Sequence, residues 1–306
     1  MAQAHLLVGS SARGADPAIR RIGPADLKDA LAKGWADFAA MPSHALFLCI
    51  IYPVIGMVLA GLTLGFSVLP LLYPLAAGFT LIGPFAAIGL YELSRRREMG
   101  REVSVTDAGE VMNSRSIDAI IALGALLLVI FLIWIAAAKA IYIAHFGYAV
   151  PQSIEQFANE VLFTPTGWSL ILIGNAVGFL FAVLVLTISV VSFPLLLDRD
   201  VGAVGAVLTS VRAVLANPVP LALWGLIVAA LLFVGSLPMF LGLPVVLPII
   251  GHATWHLYRK VVEPSSAPRS GQHRRPEEHR RSAADFPAAL FPTAREVPAV
   301  NPRRDR

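Results

Sequence analysis

The segment Gly251–Lys260, which reads GHATWHLYRK, carries the densest set of side chains that could do chemistry. Its two histidines, His252 and His256, are four residues apart, so on a helix both imidazoles lie on one face. Two imidazoles on one face can ligate a metal ion or exchange protons. His44 and Glu92 are predicted at a similar depth, and the four side chains form a candidate polar or ligand cluster for Zn²⁺ or another divalent ion.

The same residues also have a structural interpretation, which we prefer. Histidine, tryptophan and tyrosine often anchor helix ends at a membrane surface, and the imidazoles could bond to carbonyls freed by Pro248. A proton or ligand role and a metal or haem site stay open as alternatives, although we expect no bound cofactor. Glu92 is expected to pair with Arg95 or Arg96, one helical turn away. The predicted interfacial anchors are Trp35, Trp168, Trp255, Tyr258, Arg259 and Lys260.

Motifs that would indicate an enzyme are missing from the sequence. There is no glycine-rich phosphate loop, no nucleophile elbow and no acidic metal motif. The single cysteine, Cys49, excludes a disulfide framework, a cysteine-based zinc site and an iron–sulfur cluster. We therefore expect a protein without enzymatic activity.

The elements that position these residues are predicted to lie in a membrane. Of the 306 residues, 57% are hydrophobic and only 14% are charged, and the mean hydropathy is +0.71. Soluble domains average about 25% charged residues. Between Asp37 and Glu92 lie 54 positions without Asp, Glu, Lys or Arg. Because each membrane-spanning helix needs about 20 apolar residues, the pattern predicts an all-α, polytopic membrane protein. The expected surroundings are a lipid bilayer, with no nucleic-acid partner.

Six spans are predicted, and the placement of lysine and arginine sets their orientation. With six spans and both termini in the cytoplasm, 23 of the 24 Lys and Arg residues fall on the cytoplasmic side. Five spans would put the eleven cations after Leu257 outside. The apolar patch His5–Gly9 is too short for a signal peptide, which agrees with a cytoplasmic N-terminus. The predicted spans are residues 45–64, 72–91, 119–138, 168–197, 219–236 and 240–257.

Short amphipathic helices are expected ahead of the predicted hairpins. Ile22–Phe38 places Leu27, Ala30, Leu31, Gly34, Trp35 and Phe38 on one helical face, Val201–Ala216 shows the same periodicity, and Val103–Met112 shows it more weakly. Residues 84–96 also align with residues 248–260. We interpret the chain as three units, each an interfacial helix followed by a two-helix hairpin, with chance similarity of apolar segments as the alternative.

The two ends of the chain differ in composition from the middle. Residues 22–262 form the predicted six-span membrane domain, and residues 1–21 are expected to be a disordered cytoplasmic tail. Residues 263–306 are rich in Pro and Arg and are expected to be a disordered, basic cytoplasmic tail.

Five motifs together resemble one family of bacterial six-span integral membrane proteins, which is catalogued only as a domain of unknown function. They are GWADF around Trp35, the segment from Gly83-Pro84 to Arg95, SFPLLLDRD at Ser192–Asp200, ANP at Ala216–Pro218 with Trp224, and GHATWHLYR at Gly251–Arg259. The resemblance implies a location in the bacterial cytoplasmic (inner) membrane and no established activity.

Two functions from different classes follow as hypotheses. The first is a non-enzymatic protein that assists or organises other membrane components, with a membrane-protein partner or a second copy of the chain as its contact. The alternative is a small permease or channel whose polar lining is formed by His252, His256 and Glu92. A continuous polar cavity through the bundle would favour the alternative.

Overall fold

A computed structural model describes residues 17–42, 69–79, 83–148, 150–238 and 241–264. These residues are almost entirely helical and contain no β-strand, apart from one isolated bridge between Ile19 and Val262. The α-helices are α1 (Pro24–Ala40), α2 (Leu72–Phe79), α3 (Gly83–Ala86), α4 (Ile88–Glu98), α5 (Ile117–Phe146), α6 (Ile154–Phe163), α7 (Pro165–Ser189), α8 (Ser192–Asp198), α9 (Gly202–Ala216), α10 (Pro218–Ser236) and α11 (Leu243–Val261). Two 3₁₀ helices cover Leu69–Leu71 and Val105–Asn113.

Local capping explains where several of these helices begin. Pro24 is the first residue of α1, and the Asp26 carboxylate accepts a hydrogen bond from the Gly23 amide. The Ser153 hydroxyl oxygen accepts from the Gln156 amide at the start of α6, and Thr164 does the same for Gly167 in α7. Each bond satisfies an amide that has no partner within its own helix.

Three stretches of the described residues are long and apolar enough to cross a membrane: Ile117–Phe146, Pro165–Asp198 and Pro218–Ser236. They contain the predicted third, fourth and fifth spans. At 1.5 Å per residue, the shortest of them measures about 28 Å, close to the thickness of a bilayer core. The all-helical prediction is therefore confirmed for the described residues, and at least three of its apolar helices can span a bilayer.

The other three predicted spans are not shown as membrane-spanning helices among the described residues. The first, residues 45–64, lies outside the described residues. The second, residues 72–91, falls on α2, α3 and the start of α4, with a turn at Ala87 between α3 and α4, and residues 80–82 lie outside the described residues. The sixth corresponds to α11, which runs from Leu243 to Val261 and carries polar and charged residues in its last two turns.

The contacts between elements follow one cyclic order. The last helix of each predicted unit packs against the amphipathic element of the next: α4 against the 3₁₀ helix Val105–Asn113, α8 against α9, and α11 against α1. The three last helices, α4, α8 and α11, also pack against one another. The C-terminal end of the described fold is thereby joined to its N-terminal end.

The contact between α1 and α11 is close because a glycine lies at the crossing. A Cβ atom added to Gly34 would lie 2.6 Å from the Ala253 backbone nitrogen. The residues that precede α1 run along the C-terminal end of α11. There the Arg20 amide donates a hydrogen bond to the Val261 carbonyl at 2.7 Å. The Glu263 amide donates back to the Ala18 carbonyl at 3.0 Å. Helix α1 is thus fixed by both packing and backbone hydrogen bonds.

The buried face of α1 differs from the predicted one. Its buried residues are Leu27, Ala30, Gly34 and Asp37, whereas Trp35 is 57% exposed. The inner face of α1 packs against α11 and α10. An aspartate therefore occupies a position on the face that was predicted to be apolar.

Candidate functional site

A buried polar cluster lies where α1, α4 and α11 meet. The Ser94 hydroxyl of α4 is 2.6 Å from Asp37 Oδ2 of α1 and 2.7 Å from His252 Nδ1 of α11. One turn further along α11, His256 Nε2 is 2.8 Å from the same Asp37 oxygen. Four side chains from three helices therefore form one hydrogen-bonded chain, His252–Ser94–Asp37–His256, which we call the histidine cluster.

The direction of these hydrogen bonds follows from the donors available. An ionised carboxylate only accepts, so the Ser94 hydroxyl donates its one proton to Asp37. The Ser94 oxygen then accepts from His252, which places the proton of that imidazole on Nδ1. His256 donates from Nε2 to Asp37. This assignment of protons is inferred from the network, as is usual for histidine.

Asp37 is the centre of the histidine cluster. The Arg97 guanidinium donates from Nη1 to Asp37 Oδ1 at 3.0 Å and to the Ala36 carbonyl at 2.7 Å. Burial on its own would raise the pKa of the Asp37 carboxyl, but the hydrogen bonds from His256 and Ser94 outweigh it and hold the pKa below its ordinary value. Asp37 is therefore a buried carboxylate that ties α1 to both α4 and α11.

One atom of the histidine cluster has no hydrogen-bond partner in the described part of the chain. His252 is fully buried, and its Nε2 atom is left without a partner. With the proton on Nδ1, this Nε2 carries a lone pair, which is the form of imidazole that binds a metal ion or accepts a proton. Within the described ranges, however, no group of three or more His, Cys, Asp or Glu side chains is placed to hold a metal ion.

Glu92 does not join the histidine cluster. Its carboxylate accepts from Arg95 Nε at 2.7 Å and Nη2 at 2.8 Å, and from Arg96 Nε at 2.7 Å. Arg96 also pairs with Asp107 and Glu110 of the 3₁₀ helix Val105–Asn113. The expected pairing of Glu92 with its neighbouring arginines is confirmed, whereas its grouping with the two histidines is wrong. His44, the fourth predicted member, lies outside the described residues.

The bonds of the two histidines also differ from the structural interpretation drawn from the sequence. Pro248 lies inside α11 as expected. The described hydrogen bonds of His252 and His256 nevertheless go to Ser94 and Asp37, and none goes to a carbonyl freed by that proline. The histidines join helices instead of repairing their own.

Two predicted anchors are buried in the protein. Trp255 and Tyr258 are each 1% exposed, so their rings pack inside the fold and have no free face for lipid. The Trp255 indole donates to Glu98 at 3.0 Å, and the Tyr258 hydroxyl donates to Asp198 at 2.8 Å. For these two the structure corrects the prediction, since each polar tip bonds to a carboxylate of a neighbouring helix.

The other predicted anchors retain accessible surface. Trp35 and Trp168 are more than half exposed. Arg259 contacts Glu98 at 3.1 Å and lies 3.6 Å from Asp198, so it bridges the ends of α4 and α8. Lys260 pairs with Asp29 of α1 at 2.9 Å. The end of α11 is therefore linked by charge to three other helices.

Sequence reasoning missed Asp37 and Ser94, although a weak signal existed for each. Asp37 follows Gly34 by three residues and Leu27 by ten, which puts it on the same helical face as both. Ser94 follows the buried Leu90 by four residues in the same way. A polar residue in phase with a buried face is the pattern that marks an internal hydrogen bond.

The apolar helices and the internally bonded polar groups define a helical integral membrane protein. Residues 71–198 match the family described as "Predicted integral membrane protein (DUF2189)". This match confirms the resemblance to a membrane domain of unknown function, and it covers the motifs at Gly83–Arg95 and Ser192–Asp198. No curated protein and no solved structure matches the chain.

Proposed function

We propose that this chain is a non-enzymatic protein of the bacterial cytoplasmic membrane that assists or organises other membrane proteins. The observation that carries the proposal is the uncovered face of α10. Only 17% of its apolar segment is buried inside the protein, against 39% for α5 and 50% for Pro165–Asp198. A helix covered so little by its own chain leaves most of its surface for lipid or for a partner helix.

The exposed side chains of α10 suit contact with another helix. Leu226 and Phe233 are 66% and 67% exposed, and alanines at positions 222, 229 and 230 lie on exposed parts of the same helix. Small residues let two helix backbones approach closely in a bilayer, where packing drives association. Large side chains beside them add contact area.

The polar groups of the described fold support a non-enzymatic role. Three members of the histidine cluster, Asp37, Ser94 and His252, are buried, and all four members are bonded to one another. Glu92 is held by two arginines. Trp255, Tyr258 and Arg259 bond to carboxylates of neighbouring helices. These groups join elements of the fold, and a substrate would have to break such bonds to reach them.

A six-span topology with both termini in the cytoplasm is part of the proposal. The confinement of 23 of 24 cations to one side supports it, and so does the cyclic order in which the three predicted units contact one another. Three equivalent contacts of this kind are expected if each unit is an amphipathic helix followed by a hairpin.

Photo-crosslinking in native membranes tests the organising role. A photoreactive amino acid at Leu226 or Phe233 of α10 should give a defined adduct with another membrane protein. The same residue at Phe179 or Leu180 of α7, which are equally exposed, serves as the matched control and should give none. Absence of an adduct from α10, or equal adducts from α10 and α7, would contradict the proposal.

The unpartnered Nε2 of His252 favours the alternative, a small permease or channel, because a buried lone pair can accept a proton in transit. Purified protein in liposomes tests it with a pH-sensitive dye inside the vesicles. A permease would move protons, alone or with a solute, and His252→Gln would abolish that flux. No flux above that of empty liposomes would contradict a proton-conducting role for His252.

A further inference from the structure

A cavity of about 350 Å³ lies beside the histidine cluster, where the chain ahead of α1 meets the end of α11. Its lining residues are Arg20, Lys33, Glu98, His256, Arg259 and Lys260. The wall therefore carries four permanent positive charges and one carboxylate. Its volume falls in the range of about 300–1,000 Å³ that is typical of small-molecule sites.

The single carboxylate of the cavity wall is already engaged. Glu98 accepts the Trp255 indole on Oε2 and the Arg259 guanidinium on Oε1. Arg20 donates to the Arg259 carbonyl at 2.6 Å and to the Val262 carbonyl at 3.4 Å. Those carbonyls orient the Arg20 guanidinium without neutralising its charge.

The two lysines of the wall share one aspartate. Asp29 Oδ2 lies 2.9 Å from Lys33 Nζ and 2.9 Å from Lys260 Nζ. Hydrogen bonds from both ammonium groups hold the pKa of Asp29 below its ordinary value. Asp26 pairs with Lys260 and Asp198 pairs with Arg259, each at 3.6 Å, but neither carboxylate lines the cavity. The side chains that do line it comprise four cations and one carboxylate, so the surface that faces the cavity is mainly positive.

The position of the cavity indicates where its ligand would come from. In the six-span topology, on which this step rests, the end of α11 lies at the cytoplasmic surface of the membrane. The cytoplasmic leaflet carries anionic phospholipids, and basic pockets between helices on that side hold their headgroups. Soluble phosphate esters reach the same surface from the cytoplasm.

We propose that this cavity binds a phosphate group, with Arg20, Lys33 and Lys260 as the donors that contact it. Arginine offers a planar pair of donors that matches two phosphate oxygens, and the lysines supply point charges. The phosphate belongs either to an anionic phospholipid headgroup or to a soluble phosphate compound, and the two sources are separated by experiment.

The lipid source is tested with the purified full-length protein in nanodiscs that contain phosphatidylcholine and phosphatidylglycerol. Native mass spectrometry of the released protein should show retained phosphatidylglycerol. Lys33→Gln should lower the retained amount about fivefold, in line with the contribution of one lysine near an anionic surface. Lys28→Gln is the matched control, since Lys28 is an exposed cation of the same helix that does not line the cavity. It should leave retention unchanged.

The soluble source is tested by calorimetric titration of inorganic phosphate into the protein in nanodiscs of phosphatidylcholine alone. The site is assigned to soluble phosphate if Lys33→Gln weakens phosphate binding, Lys28→Gln does not, and the lipid experiment shows no retained phosphatidylglycerol. The proposal would be overturned if the parent protein binds neither phosphatidylglycerol nor inorganic phosphate. It would also be overturned if Lys33→Gln and Lys28→Gln, with circular dichroism spectra that match the parent, have equal effects on binding. Neither binding experiment involves α10. The phosphate proposal can therefore fail while the crosslinking test supports the organising role, and the organising role can fail while phosphate binding is found.

Discussion

Ser94 and His252 are separated by 158 residues in sequence and lie 2.7 Å apart, with both side chains buried. Ser94 is also the link to Asp37, so one hydroxyl connects α4, the last helix of the first predicted unit, with α1 and α11 at the two ends of the described fold. Only residues 71–198 match the known family, so α1 and α11 lie outside the matched region. The histidine cluster thus ties the matched region to the two ends of the described fold.

The central place of Asp37 predicts that its loss destabilises the protein. Asp37→Asn leaves the partly buried His256 and the exposed Arg97 without their charged partner and weakens the hydrogen bonds that both make to a buried group, which should cost about 2 kcal/mol. Asp29→Asn is the control, because Asp29 is 41% exposed and pairs at the surface, where a pair contributes less than about 1 kcal/mol. Thermal unfolding in detergent measures both variants, and equal losses would show that Asp37 has no special role.

The lowered pKa of Asp37 predicts a dependence of stability on pH. Its folded pKa lies below the unfolded value, so the stability it contributes is fully present above about pH 4 and is lost as the pH falls through the folded pKa. The difference in melting temperature between the parent and Asp37→Asn should therefore be constant from pH 7 to 5 and shrink below pH 4. A difference that persists unchanged at pH 2.5 would show that the carboxylate charge is not the cause.

The crossing of α1 and α11 predicts a strong effect of bulk at Gly34. A valine there places its Cβ 2.6 Å from the Ala253 backbone, which cannot give way as a flexible side chain would. We expect about 2 kcal/mol of destabilisation and partial release of α1. Limited trypsin digestion should then cut at Lys28 and Lys33 faster than in the parent. Gly174→Ala, where nothing lies within 4 Å of the added Cβ, should digest at the parental rate.

The long apolar helices could be predicted from the sequence, whereas the histidine cluster could not. Residues 219–236 and 119–138 are uninterrupted apolar runs, and a bilayer accepts such runs only as helices, so α10 and α5 follow directly. Asp37 and His256 are 219 residues apart, and their contact depends on which face of α1 packs against α11. The periodicity of Ile22–Phe38 predicted an apolar face that does not include Asp37, and a prediction of this kind fails where a polar side chain has a buried partner.

The six-span topology predicts which positions can be labelled from outside the cell. In a protein whose native Cys49 is replaced by serine, single cysteines at Gln152 and Glu263 report the loop after α5 and the end of α11. Both positions are exposed in the fold, so burial does not distinguish them. A membrane-impermeant maleimide should label Gln152→Cys in intact spheroplasts and label Glu263→Cys only after lysis. Labelling of both in intact spheroplasts would indicate an odd number of spans between the cytoplasmic N-terminus and Glu263, because α11 would then end outside. Glu102→Cys, in the loop after α4 that is predicted to be cytoplasmic, should behave like Glu263→Cys, and its labelling from outside would contradict the proposed orientation of the bundle.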